Sequence, residues 1–396
     1  ERVDDPPQPA GSSEEPWLES EAGNCWVEYF EGNSTLVLAS PHDGCLEPRW
    51  AGRRASDTVT VRDKGASGIA CAAAISLAAS GAAAERGGVP AFKVPHVLLC
   101  HVSRSVLDVN RSSADGASCP RGRAVWEVYH ALLDRALATA SQTSGGCGRA
   151  CFVDFHAQAH FNLNGGHDLI EVGYLLPLRV VSRAAELLDS TSEVAAALRD
   201  ASSLRNLWRA HCAGETERLN FSSLLRGPNS LGEMLSRRGV AAVPSVELPA
   251  PPEIPRKFPG ALSNDGDGED AELLEVDEGG EEDDWSLKIQ PPAQTRRALS
   301  TPALNAPRRL SPVGLTPGSS LLSKGARPLI RRYFCGRLSY TLQRVVAGGA
   351  DGVQLELPIR CSANAFNWER FAAAIASALE EWTFYGGGCY LLPRPQ

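Results

Sequence analysis

Four apolar runs in this 396-residue chain each lead into a residue that can do chemistry. Leu36–Ser40 (LVLAS) runs into Pro41-His42, Val94–Val102 into Ser103-Arg104, and Cys151–Phe155 (CFVDF) into His156. The fourth, Gly352–Leu357 (GVQLEL), carries Glu356 near its end. Ligands of open α/β sheets bind outside the carboxyl ends of the strands. If the four runs are neighbouring parallel strands, His42, Arg104, His156 and Glu356 converge on one crevice. Two imidazoles and a carboxylate are the donor set of a catalytic zinc, which takes three protein ligands and leaves a fourth position open. The third ligand has two candidates in the sequence, Asp57 and Glu47. Asp57, within Ser56-Asp57-Thr58 and just ahead of an expected helix, is preferred to Glu47, which Pro48 follows in an expected loop. No HExxH motif is present.

The remaining polar residues sort around that group. Alternation along Val353–Pro358 puts Gln354 and Glu356 on one strand face, where Glu356 could serve as general base and proton donor. The competing reading makes it a strand-end salt-bridge partner. Arg104 and Arg111 frame a polar block with Asp108 and Asn110, and a guanidinium fork suits a substrate carboxylate. The plainer reading is an internal Arg–Asp pair. His160, four residues beyond His156, is either an oxyanion-stabilising or second-layer group, or a loop histidine. His167 and Glu171 are weaker candidates. His96, His101, His130 and His211 are assigned to packing or surface.

The elements that must position these residues alternate. Ala66–Arg86 is an Ala-rich helical stretch. Arg123–Ser141 puts Val125, Val128, Tyr129, Leu132, Leu133 and Leu137 on one face, and Asn367–Trp382 repeats the pattern with Phe371, Ala374, Ile375, Ala378 and Trp382. Strands alternating with helices predict an α/β fold with a mainly parallel sheet.

Six blocks occur in the order found in the N-formylglutamate amidohydrolase-like family, which the chain resembles between about 35 and 384. They are Pro41-His42-Asp43-Gly44; Ser56-Asp57-Thr58-Val59-Thr60; Ser103-Arg104 with Leu107-Asp108-Val109-Asn110-Arg111; Asp154-Phe155-His156-Ala157-Gln158-Ala159-His160; Ile170-Glu171-Val172-Gly173-Tyr174; and Gln354-Leu355-Glu356-Leu357-Pro358. Ala157 stands where members typically have glycine, and Tyr333–Tyr340 has diverged polar residues. The resemblance implies a three-layer α/β/α fold with a mainly parallel mixed sheet, phosphorylase/hydrolase-like and of the zinc-peptidase type. It implies one zinc per chain at His42, Asp57 and His156, a catalytic carboxylate at Glu356, and hydrolysis of a C–N amide in an N-acyl amino acid or small peptide. The expected partner is therefore a small carboxylate-bearing amide. Two alternatives stand beside it: a carboxypeptidase- or peptidoglycan-type amidase, and a catalytically inactive secreted member that acts as a binding protein.

Composition sets the outer limits. Apolar residues make up 43% and charged residues 22%, as in ordinary globular proteins. No apolar run reaches the length of a membrane span. Residues 265–284 hold 12 acidic side chains and no Lys or Arg, so the net charge of −8 becomes +4 outside that tract. With no dense basic patch, a nucleic-acid partner is not expected. Residues 1–22 read as a flexible N-terminal arm. Thirteen of the 27 prolines fall between 244 and 328, so 255–326 reads as a disordered insertion. It would interrupt a single catalytic domain of 23–254 and 327–396. Eleven cysteines, an odd number, contain no CxxC pair. Three Asn-x-Ser/Thr sequons, at Asn33, Asn110 and Asn220, and a start at Glu1 rather than Met tilt the expected location toward secretion over the cytoplasm.

Overall fold

The computed structural model describes residues 25–48, 50–54, 59–84, 94–143, 149–157, 169–182, 185–213, 220–250, 339–358 and 365–384. The expected arm at 1–22, the insertion at 255–326, and Asp57, His160 and His167 lie outside the described residues.

Among the described residues the strands are β1 (Val27–Phe30), β2 (Leu36–Ser40), β3 (His96–Cys100), β4 (Cys151–Ala157), β5 (Ile170–Gly173), β6 (Ala242–Val243) and β7 (Asp351–Leu357). They form one mixed sheet in the order β1-β3-β2-β4-β7-β5-β6. The centre, β3-β2-β4-β7, is parallel throughout. β1 joins β3 antiparallel, β5 joins β7 antiparallel, and β6 lies parallel to β5. The four apolar runs are thus the four central strands. Each is buried along its whole length, as strands covered on both faces must be.

Helices cover both faces. α1 (Ala66–Ala84), α2 (Ser113–Gly116) and α3 (Pro120–Thr143) precede β4. α4–α9 (Leu178–Val181, Ala185–Asp189, Glu193–Ala201, Arg205–Ala213, Phe221–Arg226 and Leu231–Arg237) fill the long connection between β5 and β6 and its surroundings, and α10 (Tyr340–Ala347) and α11 (Ala365–Phe384) flank β7. Leu36, Leu38, Val153, Phe155, Val353 and Leu355 point to one face, under α1 and α11. Val37, Ala39, Leu98 and Phe152 point to the other, under α3 and α10. The architecture is therefore α/β/α with two cores separated by the sheet. Among the described residues no helix is long and apolar enough to cross a membrane.

The second face changes character along the strands. At the start of β4 and β7 it carries Phe152 and Gly352; towards their carboxyl ends come Asp154 with His156 and Gln354 with Glu356. Gly352 has to be glycine, because a Cβ there would lie 2.7 Å from Leu342 Cδ1 and 2.9 Å from the Phe152 carbonyl oxygen. β5 adds Glu171 directly beside Glu356. Strand alternation thus turns one face of three adjacent strands into a polar floor at the carboxyl edge.

Candidate metal centre

His42 lies two residues beyond β2, and its loop is fixed at several points. Asp43 accepts from the Gly65 and Ser67 backbone N–H groups at 3.1 and 3.0 Å, which satisfies orphan donors at the start of α1. The backbone N–H of Asp63 donates to the His42 carbonyl at 3.0 Å. Gly44 allows the next turn to press on the strand β3 exit, where a Cβ would come within 2.3 Å of the His101 carbonyl carbon. These ties place Asp63, three residues before α1, against His42. His156, at the polar end of β4, completes the arrangement from the neighbouring strand.

The result is a compact buried group. His42 Nδ1 and His156 Nδ1 are 3.2 Å apart, and Asp63 Oδ2 lies 2.9 Å from the second and 3.4 Å from the first. A tetrahedral site with ligand bonds of 2.0–2.1 Å has ligand atoms separated by about 3.3 Å. Among the described residues, His42, Asp63 and His156 are the group of three ligand-type side chains close enough to hold a metal ion. The outer nitrogens agree with that reading. His42 Nε2 is 2.7 Å from Asp108 Oδ1, and His156 Nε2 is 3.0 Å from Asp154 Oδ2. A carboxylate only accepts, so the hydrogen of His42 sits on Nε2 and its Nδ1 lone pair turns inward, whereas His156 has a carboxylate at each nitrogen, Asp154 at Nε2 and Asp63 at Nδ1. Two imidazole nitrogens and a carboxylate oxygen cannot lie this close together without a positive charge among them. A divalent cation meets that requirement, and so does a proton.

The electrostatics follow from this crowding. Burial disfavours a charge on Asp63, but the hydrogen bond from His156, with His42 close by, outweighs it and holds its carboxyl well below the usual range. Burial likewise opposes charge on His156, yet the carboxylates of Asp154, Asp63 and Glu356 drive its pKa well above the ordinary value. Burial raises Asp108, and the charge and hydrogen bond of His42, with Arg104 and Arg54, bring it far down. Glu356 behaves the other way. Burial, with Asp63 and Glu171 nearby, pushes it up to about 8 against the pull of His156 and a hydrogen bond from Gln354.

The expected site residues take differing places. His42 and His156 meet. Asp63 supplies the carboxylate of the described group, six residues beyond Asp57. Glu47 is at the surface, bonded to Ser105 Oγ at 2.9 Å and paired with Arg53. Glu356 sits in register with His156 on the next strand. Asp108 and Asn110 are turned inward rather than towards an incoming ligand: Asp108 backs His42, and Asn110 Nδ2 lies 3.2 Å from His156 Nε2 while its Oδ1 accepts from Ser339. With its amide so occupied and the residue buried, the Asn110 sequon is not a glycan site. Arg104 bridges Asp108 Oδ2 at 3.2 Å and Asp63 Oδ1 at 3.6 Å, and Arg111 lies 3.9 Å from Asp108.

Sequence reasoning missed Asp63, Asp154 and Arg54. Asp154 had a signal, since a residue two before His156 on a strand shares its face. Asp63 had a weaker one, its place just ahead of α1. Of the histidines set aside as packing or surface groups, His96 bonds Tyr29, His101 pairs with Glu28, and His130 packs at a tilt against Trp126, while the side chain of His211 lies outside what the structure describes.

No family model and no curated protein matches the chain. Among solved structures, that of gene product Atu2144 from Agrobacterium tumefaciens is similar, 12% identical over 93% of this chain and 96% of that one, with a TM-score of 0.35. A likeness of that degree carries no argument about function, and the reading of the site rests on its own geometry.

Proposed function

We propose that this chain is a metal-dependent amidohydrolase acting on a small, carboxylate-bearing N-acyl amino acid or peptide. One observation carries the reading: two inward Nδ1 atoms and an Asp63 oxygen lie at tetrahedral spacing, and each histidine is backed by its own carboxylate. His42, Asp63 and His156 would hold the ion. A zinc ion bound there supplies Lewis acidity to a carbonyl oxygen and brings a water's pKa down towards neutrality. Glu356, one strand from His156, accepts the proton of the attacking water and passes it to the leaving nitrogen as the C–N bond breaks. The hydrogen bond from Gln354 Nε2 at 2.5 Å orients the Glu356 carboxyl. On the opposite flank, Arg104 and Arg111 are 13% and 31% exposed, so both reach the solvent side, where a substrate carboxylate would arrive.

The test is turnover of formyl- and acetyl-amino acids by the zinc-loaded full chain, measured as release of free amine. Hydrolysis that falls sharply when the substrate carboxylate is capped as an amide supports the reading. Zinc-loaded protein that leaves the whole panel intact overturns it.

A further inference from the structure

We infer that Arg54 is a positioning residue, which acts through Asp108 to fix the ring nitrogen that His42 presents to the metal group. The inference rests on the metal-binding reading above. Its side chain is only 4% exposed, against 13% for Arg104 and 31% for Arg111. Its guanidinium donates to the Val59 carbonyl at 3.2 Å, the Arg104 carbonyl at 3.2 Å and the Asp115 carbonyl at 3.3 Å, and to Asp108 Oδ2 at 3.4 Å. Val59 stands four residues before Asp63, and Arg104 four before Asp108. One buried cation thus joins the segment leading to a metal-group carboxylate with the segment carrying the carboxylate behind His42.

The two oxygens of Asp108 divide the work. Oδ1 accepts from His42 Nε2 at 2.7 Å and from the Asn110 backbone N–H at 2.9 Å. Oδ2 faces the arginines. A carboxylate this deeply buried persists as a charged acceptor only beside a fixed cation. While it accepts, Nε2 of His42 must carry the hydrogen, and Nδ1 is left bare towards Asp63 and His156. Arg104 is shared between Asp108 and Asp63, and Arg111 lies further off. Arg54 is the most deeply buried of the three cations around Asp108, and Asp108 is the carboxylate its guanidinium meets. Lysine cannot replace it, because one ammonium cannot span acceptors on three segments.

The experiment compares wild type, Arg54→Lys, Asp108→Asn and the double variant as full chains. One readout is the His42 tautomer, from ring nitrogen NMR shifts of the metal-free protein at alkaline pH. The other is zinc affinity by chelator competition. In the wild type the hydrogen should sit on Nε2. Arg54→Lys should lose that preference and bind zinc about 10–100-fold more weakly, the usual effect of removing a group behind a ligand. Because Arg54 acts through Asp108, the double variant should bind no more weakly than the weaker single variant. A wild-type tautomer and affinity in Arg54→Lys, or losses that multiply in the double variant, would overturn the inference. If wild type binds no zinc, the metal reading fails by itself, and the tautomer comparison still decides the role of Arg54. If Arg54→Lys does not fold, Arg54→Gln, which donates hydrogen bonds without charge, is read the same way. Failure of both to fold assigns Arg54 to scaffolding alone and also overturns the inference.

Discussion

Glu356→Gln separates what this site does from what it costs the fold. Glutamine keeps the shape of the side chain and can still accept from Gln354 Nε2, the bond now 2.5 Å long. What it loses is the capacity to take up and release a proton. General acid–base catalysis typically contributes about 10²–10⁴-fold, so kcat of the zinc-loaded protein should fall by that factor while zinc content stays the same. Stability should move the other way. Burial, with Asp63 and Glu171, raises Glu356 from 4.5 to about 8 in the folded protein. A carboxyl raised on folding takes up a proton, so its contribution is neutral below pH 4.5 and increasingly unfavourable as pH rises to 8. At pH 7 the penalty amounts to about 3 kcal/mol in the metal-free protein. Glu356→Gln should remove it: urea melts of the metal-free variant should show a gain of that size at pH 7 and none at pH 4.5. Undiminished turnover would refute the catalytic role. A stability change independent of pH would refute the electrostatic account.

Other groups should respond in their own ways. His130 is held at about 4 by burial and by Arg344, against a bond to the Val109 carbonyl, while the unfolded value is 6.5. The fold therefore has the full benefit of its neutral form above pH 6.5 and loses about 3 kcal/mol as pH falls to 4, relative to a His130→Gln variant, in melts run across that range. Arg111→Ala should lower kcat/KM for carboxylate-bearing amides roughly 10–100-fold and leave amide-capped analogues unaffected, in steady-state assays, as expected for one lost charge-assisted hydrogen bond.

The legible part of this protein is the part written in long apolar runs. β2, β3, β4 and β7 are apolar runs, α1 is a long Ala-rich stretch, and α3 and α11 repeat an apolar face, each over enough residues to be read, and three of the four central strands deliver or lead to His42, His156 and Glu356. β1, β5 and β6 are two to four residues long and gain their place only from neighbours, so no pattern announces them. Glu171 stands beside Glu356 because β5 runs antiparallel there, a matter of tertiary pairing. Asp108 and Asn110 stood out as a polar block, but polarity does not say whether a side chain faces a ligand or a histidine. The carboxylate of the metal group was hardest, because Asp63 comes from a connection with no period, placed by Asp43 and by a backbone bond to His42.

The most direct measurement is zinc per chain in the wild type, Asp63→Asn, Asp57→Asn and His156→Ala, each purified, loaded with zinc and dialysed against a weak chelator. The account predicts one zinc in the wild type and in Asp57→Asn, and none retained in Asp63→Asn or His156→Ala, since each of those removes one of three inward donors. Zinc absent from the wild type, or retained at one per chain in Asp63→Asn or in His156→Ala, would contradict it.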